Sequence, residues 1–282
     1  TTSMADIHAL NDKITGTISF SSAVKTLQGS AADFLDAINS GTTQFASLTD
    51  QAIQITGGVT VAQLNTIAGA STGTVTATVT DTDMATLAGI TESGNALSIT
   101  VDQTAPIEVG ALTTLYGKTS VPVTIGANAT AVKGTNAELL AITAADAAGN
   151  LRGPGTTASG LGAKGLICTE SIDVTKANVL SGKTSGAVTA TITDTDMTTL
   201  NTLRDETGNI YTITVTDTTV DAEDLKELEL NTEGLITLSG TTTLRGTQAA
   251  VEDILVDFGQ DTVNGAGVVT TAKTIIGTGA LN

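Results

Sequence analysis

Along residues 73–80 apolar and hydroxylated side chains alternate without a break. Val75, Ala77 and Val79 fall on one side; Thr74, Thr76, Thr78 and Thr80 fall on the other. Side chains two apart share one face of a strand, so the spacing predicts a half-buried strand whose outer face carries hydroxyls. The same split recurs at Val188, Ala190 and Ile192 against Thr189, Thr191 and Thr193. It recurs again at Tyr211, Ile213 and Val215 against Thr212, Thr214 and Thr216. Threonine is β-branched and suits a pleated surface, so an exposed strand face can be built from it without loss of propensity. Between these stretches the period changes. Met197, Leu200 and Leu203, and likewise Leu225 and Leu228, are three apart, which is one side of a helix. Ser30 with Asp33 and Thr135 with Glu138 have the spacing of a capping box. Each predicted helix has only about two to three turns, too few to hold alone, so it must dock on the strands. Alternation of strand and short helix predicts an α/β repeat protein built from layered units.

Internal repetition is direct. Residues 75–87 read VTATVTDTDMATL and residues 188–200 read VTATITDTDMTTL, identical at 11 of 13 positions with an offset of 113. Turns at Thr15-Gly16, Thr72-Gly73, Thr119-Ser120, Thr184-Ser185 and Glu233-Gly234 divide the chain into five units of alternating type. These are 1–57, 58–104, 105–170, 171–218 and 219–282, in the order A-B-A-B-A. The A units carry a helix start at Gly29-Ser30, Gly134-Thr135 and Gly246-Thr247; the B units run from the Thr-rich strand into Asp-Thr-Asp-Met. The third unit is long because residues 148–165, AGNLRGPGTTASGLGAKG, read as an inserted loop or as a domain boundary. Two arrangements fit the pattern, a continuous solenoid and a string of compact beads. Pro122 within Val121–Ile125 lacks an N–H, which predicts an edge strand there and leans toward beads.

Composition narrows the function classes. The 282 residues include 57 Thr and 30 Gly but only four Phe, two Tyr and no Trp, which suits thin layers filled by Val, Ile, Leu and Ala. A formal charge of −17 repels phosphate and excludes a basic nucleic-acid binder. Cys168 is the single cysteine, so no disulfide framework exists within the chain; it reads as a small buried hydrophobe. No stretch reaches the roughly 18 apolar residues of a membrane span. No charged-then-apolar leader opens the chain, which starts at Thr1 and reads as processed or as an excerpt of something longer.

Candidate chemistry is sparse. Asp81-Thr82-Asp83 and Asp194-Thr195-Asp196, with the related pair Asp217 and Asp221, cluster carboxylates in turns. Asp81, Asp83, Asp194 and Asp196 are therefore either helix caps, the leading reading, or calcium ligands. His8 has no second histidine to build a metal site or a Cys–His dyad. Gly126…Gly134 and Gly160…Gly165 lack the Lys-Ser/Thr ending of a phosphate loop. Asn128-Ala129-Thr130 is a formal glycosylation triplet. The acids are scattered, no acid–base pair can be nominated, and a non-enzyme with no cofactor beyond calcium is expected.

The runs VAQLNTIAGASTGTVTATVTDTDMATL and DAEDLKELELNTEGLITLSGTTTLRGTQAAVEDIL resemble repeats of very large secreted proteins of marine cyanobacteria, described as hemolysin-type or cell-surface repeat proteins. They are also similar to arrays in surface-layer and adhesin-like proteins. The resemblance implies an extracellular, structural and calcium-associated role. Toxin activity does not carry over, because the calcium nonapeptide GGxGxD is absent. The expected function is a structural subunit of an extracellular filament or surface layer. It would form a homopolymer head-to-tail through uncapped chain ends, with attachment to a cell surface. The alternatives are an adhesin-type segment of a giant secreted protein and a phage tail-fibre or virion protein.

Overall fold

The structure, a computed structural model, describes residues 1–20, 24–40, 48, 50–155, 158–204, 208–241, 243–254 and 275–277. The chain is an α/β protein whose strand pairs are parallel. Its contacts gather into two compact units, Thr1–Thr130 with Ala144–Gly160, and Ala131–Thr143 with Leu161–Asn282.

The first unit alternates strand and helix: β1 (Thr2–Ser3), α1 (Met4–Asn11), β2 (Thr26–Ser30), α2 (Ala31–Asn39), β3 (Ala52–Val59), α3 (Val61–Gly69), β4 (Val75–Val79), α4 (Met84–Leu87) and β5 (Ala96–Ser98). The five strands form one sheet in chain order, β1-β2-β3-β4-β5. Each residue pairs with one 20 to 26 positions further on, as in Thr26↔Ala52, Ile53↔Val75 and Thr76↔Ala96. Then follow β6 (Thr100–Val101), β7 (Ile107–Glu108), α5 (Val109–Tyr116) and β8 (Val123–Ile125). Beyond β9 (Ala131–Gly134) and α6 (Asn136–Ala147) the chain reaches β10 (Leu151–Arg152). Strands β6, β8 and β10 make a second parallel sheet with β8 in the middle.

In the second unit β9 is followed by β11 (Gly165–Ile172), α7 (Val174–Ser181), β12 (Val188–Ile192), α8 (Met197–Leu200), β13 (Ile210–Val215), β14 (Thr219–Asp221), α9 (Ala222–Leu230), β15 (Ile236–Leu238), β16 (Thr243–Arg245), a helical stretch at 248–254 and β17 (Ile275–Gly277). Strands β9, β11, β12, β13, β15 and β17 lie side by side in chain order, and β14 pairs with β16. Ile275–Gly277 pairs with β15.

The predicted alternation is the observed one. Val75, Ala77 and Val79, Val188, Ala190 and Ile192, and Tyr211, Ile213 and Val215 are all buried, while Thr76, Thr78, Thr191 and Thr212 are exposed. The helices close the core from the other side with residues three apart: Val61, Leu64 and Ile67 on α3, Val174, Ala177 and Leu180 on α7, Leu225 and Leu228 on α9. Met197, Leu200 and Leu203 are buried as the spacing predicts, although α8 is a single turn.

Pro122 does not mark an edge strand. It sits just before β8, whose first residue donates from Val123 N–H to Asn150 O, and β8 is paired on both sides. The missing donor falls in the bend, where the ladder does not need it.

A hydroxyl staple starts several strands. In Ser71-x-Gly73, Thr184-x-Gly186 and Thr232-x-Gly234 the hydroxyl accepts from the glycine N–H at 2.9–3.0 Å. The same hydroxyl donates to a carbonyl near the preceding strand: Gln51 O, Lys164 O and Asn209 O respectively. The turn is thereby tied to its neighbour, and the two backbones approach so closely that a Cβ on Gly234 would overlap the Tyr211 carbonyl. Gly234→Ala is expected to cost about 1–3 kcal/mol, the usual range for forced overpacking. Urea unfolding of the variant beside the parent chain measures this; an unchanged midpoint would contradict the close approach.

Candidate functional site

Two features concentrate the polar side chains. The first is a row of acceptors at the helix starts. A helix leaves its first N–H groups without intrahelical partners. Here one is satisfied locally. Asp83 accepts from Thr86 N–H and Asp196 from Thr199 N–H, both at 2.9 Å. Ser30 with Asp33, and Thr135 with Glu138, close reciprocal capping boxes. A second N–H, at the first residue of the helix, is taken by a side chain from beyond the following strand. Asp81 accepts from Val61 N–H at 2.7 Å, Gln103 from Met84 N–H at 2.9 Å, Asp194 from Val174 N–H at 2.7 Å and Asp217 from Met197 N–H at 2.9 Å. Glu170 does the same for Asn136 N–H, and Glu223 reaches forward to Thr247 N–H.

All four carboxylates nominated from the sequence therefore lie at helix N-termini, where both the hydrogen bond and the helix dipole favour their charge. Asp81 and Asp194 bind the helix of the preceding passage; Asp83 and Asp196 bind their own. Among the described residues no group of three or more His, Cys, Asp and Glu is placed to hold a metal ion.

The electrostatics follow the bonds. The Thr86 amide and then its hydroxyl hold Asp83 below the ordinary carboxylate range; the Thr199 amide and hydroxyl do so for Asp196. The Ser30 hydroxyl and amide lower Asp33, and the Thr135 amide and hydroxyl lower Glu138. The Thr247 hydroxyl and amide lower Glu223 to about 2. Burial pushes the Cys168 thiol up, away from the reactive thiolate. His8 bonds to Asp33 O at 3.0 Å, and Asn128 donates to both Asp102 oxygens through its backbone and side chain.

The second feature is the outward strand face of the first unit. Gln54, Thr76 and Ala96 stand in one cross-strand row, with Thr78 beside Ser98 in the next. Together with Val121, Pro122 and Arg152 they line an open trough of about 460 Å³. Arg152 Nε donates to Thr124 Oγ1 at 3.0 Å. Sequence reasoning had passed over Gln54 and Arg152, and also the asparagines that stitch passages together. Asn65 bridges Gly89 O and Thr91 N–H; Asn178 bridges Thr202 O and Arg204 N–H in the same way. Their separation by 113 residues, the offset of the two long identical runs, was the available signal.

No family model, curated protein or solved structure matches the chain.

Asp81→Ala and Asp194→Ala are each expected to lose about 0.5–2 kcal/mol, the usual cost of removing a cap, with equal effects because the bonds are equivalent. Guanidinium unfolding of each variant checks both the size and the equality.

The pH dependence has a definite sign. The folded-state values of Asp33, Asp83, Glu138, Asp196 and Glu223 are depressed, so their stabilisation is complete above the unfolded values and is lost as the pH falls toward the folded ones. For Glu223 that window runs from 4.5 down to about 2. Melting temperature should fall through this window, and Asp196→Asn, which keeps a capping side chain but cannot titrate, should fall less steeply. Melts recorded at a series of pH values test this.

Proposed function

We propose that the chain is a non-enzymatic α/β solenoid, a structural segment of an extracellular filament or surface layer built from many copies. Each passage of strand, turn and helix is one rung. The observation that carries the reading is the row of side chains reaching from one passage back to the helix N-terminus of the one before it, at Asp81, Gln103, Asp194 and Asp217. Such bonds fix neighbour to neighbour and serve stacking in a linear array. Further support comes from the parallel, chain-ordered strands and from the strongly acidic composition, which limits clumping outside intended contacts. The resemblance to cyanobacterial cell-surface repeats points to the same setting. The strand order leaves β1 and β17 outermost among the described residues of their sheets. Pairing of such margins between copies would extend the array without closing it.

Sedimentation velocity across a concentration series, followed by negative-stain microscopy, tests the assembly. Filaments or ordered sheets growing with concentration are expected. A single monomeric species at every concentration would overturn it.

A further inference from the structure

The trough on the first unit's outward strand face has a built-in comparison. The hydrogen bonds of residues 60–98 recur in the second unit 113 or 114 positions on: Asn65 matches Asn178, Asp81 matches Asp194, and Asn95, which accepts from Val75 N–H, matches Asn209, which accepts from Val188 N–H. The outward residues do not follow suit. In the first unit the row is Gln54↔Thr76↔Ala96; in the second it is Ile167↔Thr189↔Ile210. Leu235 stands where the first unit has Pro122. The backbone scaffold is common to both, yet at these positions the first unit carries small or polar side chains where the second carries bulky aliphatic ones, and the trough runs along the first unit's row.

Charge distinguishes the trough as well. The chain has 29 acids against 12 Lys and Arg, yet the sole ionisable side chain lining this surface is Arg152. Its Nε is held by Thr124, and no carboxylate pairs with it among the described residues. A guanidinium held at Nε keeps its two terminal nitrogens for a planar anion, which a carboxylate meets with two parallel bonds. Beside it lie an amide and hydroxyls on neighbouring strands, about 4.8 Å apart across the sheet and nearly 7 Å along a strand. Such a grid offers alternating donors and acceptors to a polyhydroxylated chain. An open trough takes the side of a polymer and does not enclose a small molecule.

We propose that this face binds an acidic glycan, with Arg152 pairing a uronate carboxylate and Gln54, Thr76, Thr78 and Ser98 bonding ring hydroxyls. This stands whether or not the chain assembles into filaments.

The test is calorimetric titration of the full chain with three oligosaccharides of equal length: oligogalacturonate, its methyl ester, and a sulfated neutral glucan. Saturable binding is expected for oligogalacturonate alone. Arg152→Gln should weaken it by about tenfold or more, as expected for a charge-assisted pair. A second variant combines Gln54→Ile, Ala96→Ile and Pro122→Leu, residues that the second unit already accommodates at matching positions. It should fill the trough and abolish binding, with an unchanged circular dichroism spectrum establishing that it folds. Thr191→Val in the second unit should bind as the parent does. Absence of binding, equal binding of the methyl ester, preference for the sulfated glucan, or parent-like binding by Arg152→Gln would each overturn the assignment.

Discussion

The orphan N–H groups at the start of each helix are the constraint on which the rest depends. Helices of eight or nine residues are too short to persist in isolation, and each begins with amides that its own turns cannot satisfy. In α1, α2, α3, α7 and α9 one amide is met by a side-chain cap from the same passage. In α3 and α7, and in the single turns α4 and α8, another is met by Asp81, Asp194, Gln103 and Asp217 respectively, delivered from beyond the following strand. Secondary structure in one passage is thus completed by the next. The acidic composition follows in part from this, because a carboxylate is the acceptor that gains most from the positive end of a helix.

The two units separate what this constraint holds fixed from what it leaves free. Bonds recurring at an offset of 113 or 114 involve caps, bridging asparagines and strand-start hydroxyls, all bound to backbone groups of their own or a neighbouring passage. Buried positions keep their apolar character: Leu97 is matched by Tyr211 and Ile55 by Cys168, each inside. Outward positions carry no such duty. Gln54 and Ile167 can differ completely while the strands beneath them keep the same pairing and the same bulge, between Gln54 and Gly58 in β3 and between Ile167 and Ser171 in β11. A surface of this kind can acquire a binding property without disturbing the scaffold.

Much of the fold was legible in the sequence because its signals are local. Alternation at Val75–Val79 and Val188–Ile192 gave strand, face and burial together, and the spacing of Ser30 with Asp33 gave a helix start. The placing of Asp81 was only half legible. A capping role could be read from its neighbourhood, but the helix it caps starts 20 residues earlier and becomes adjacent only once the strands pair. Pro122 misled for a related reason: whether a missing donor matters depends on which residues join the ladder. The trough was invisible to pattern reading, since Gln54, Ser98 and Arg152 are far apart in the chain and each is unremarkable alone.

The interval between β9 and β11 has a wider meaning. Gly165 pairs with Ala131, 34 residues earlier, whereas Leu166 pairs with Val188 only 22 residues later. Extra chain has been accommodated between adjacent strands while the ladder itself closes in register. That extra chain is not slack: it forms α6 and then β10, which pairs with β8, and it brings Arg152 to the trough. One added stretch thus supplies both a strand to a neighbouring sheet and the lone cation of that surface.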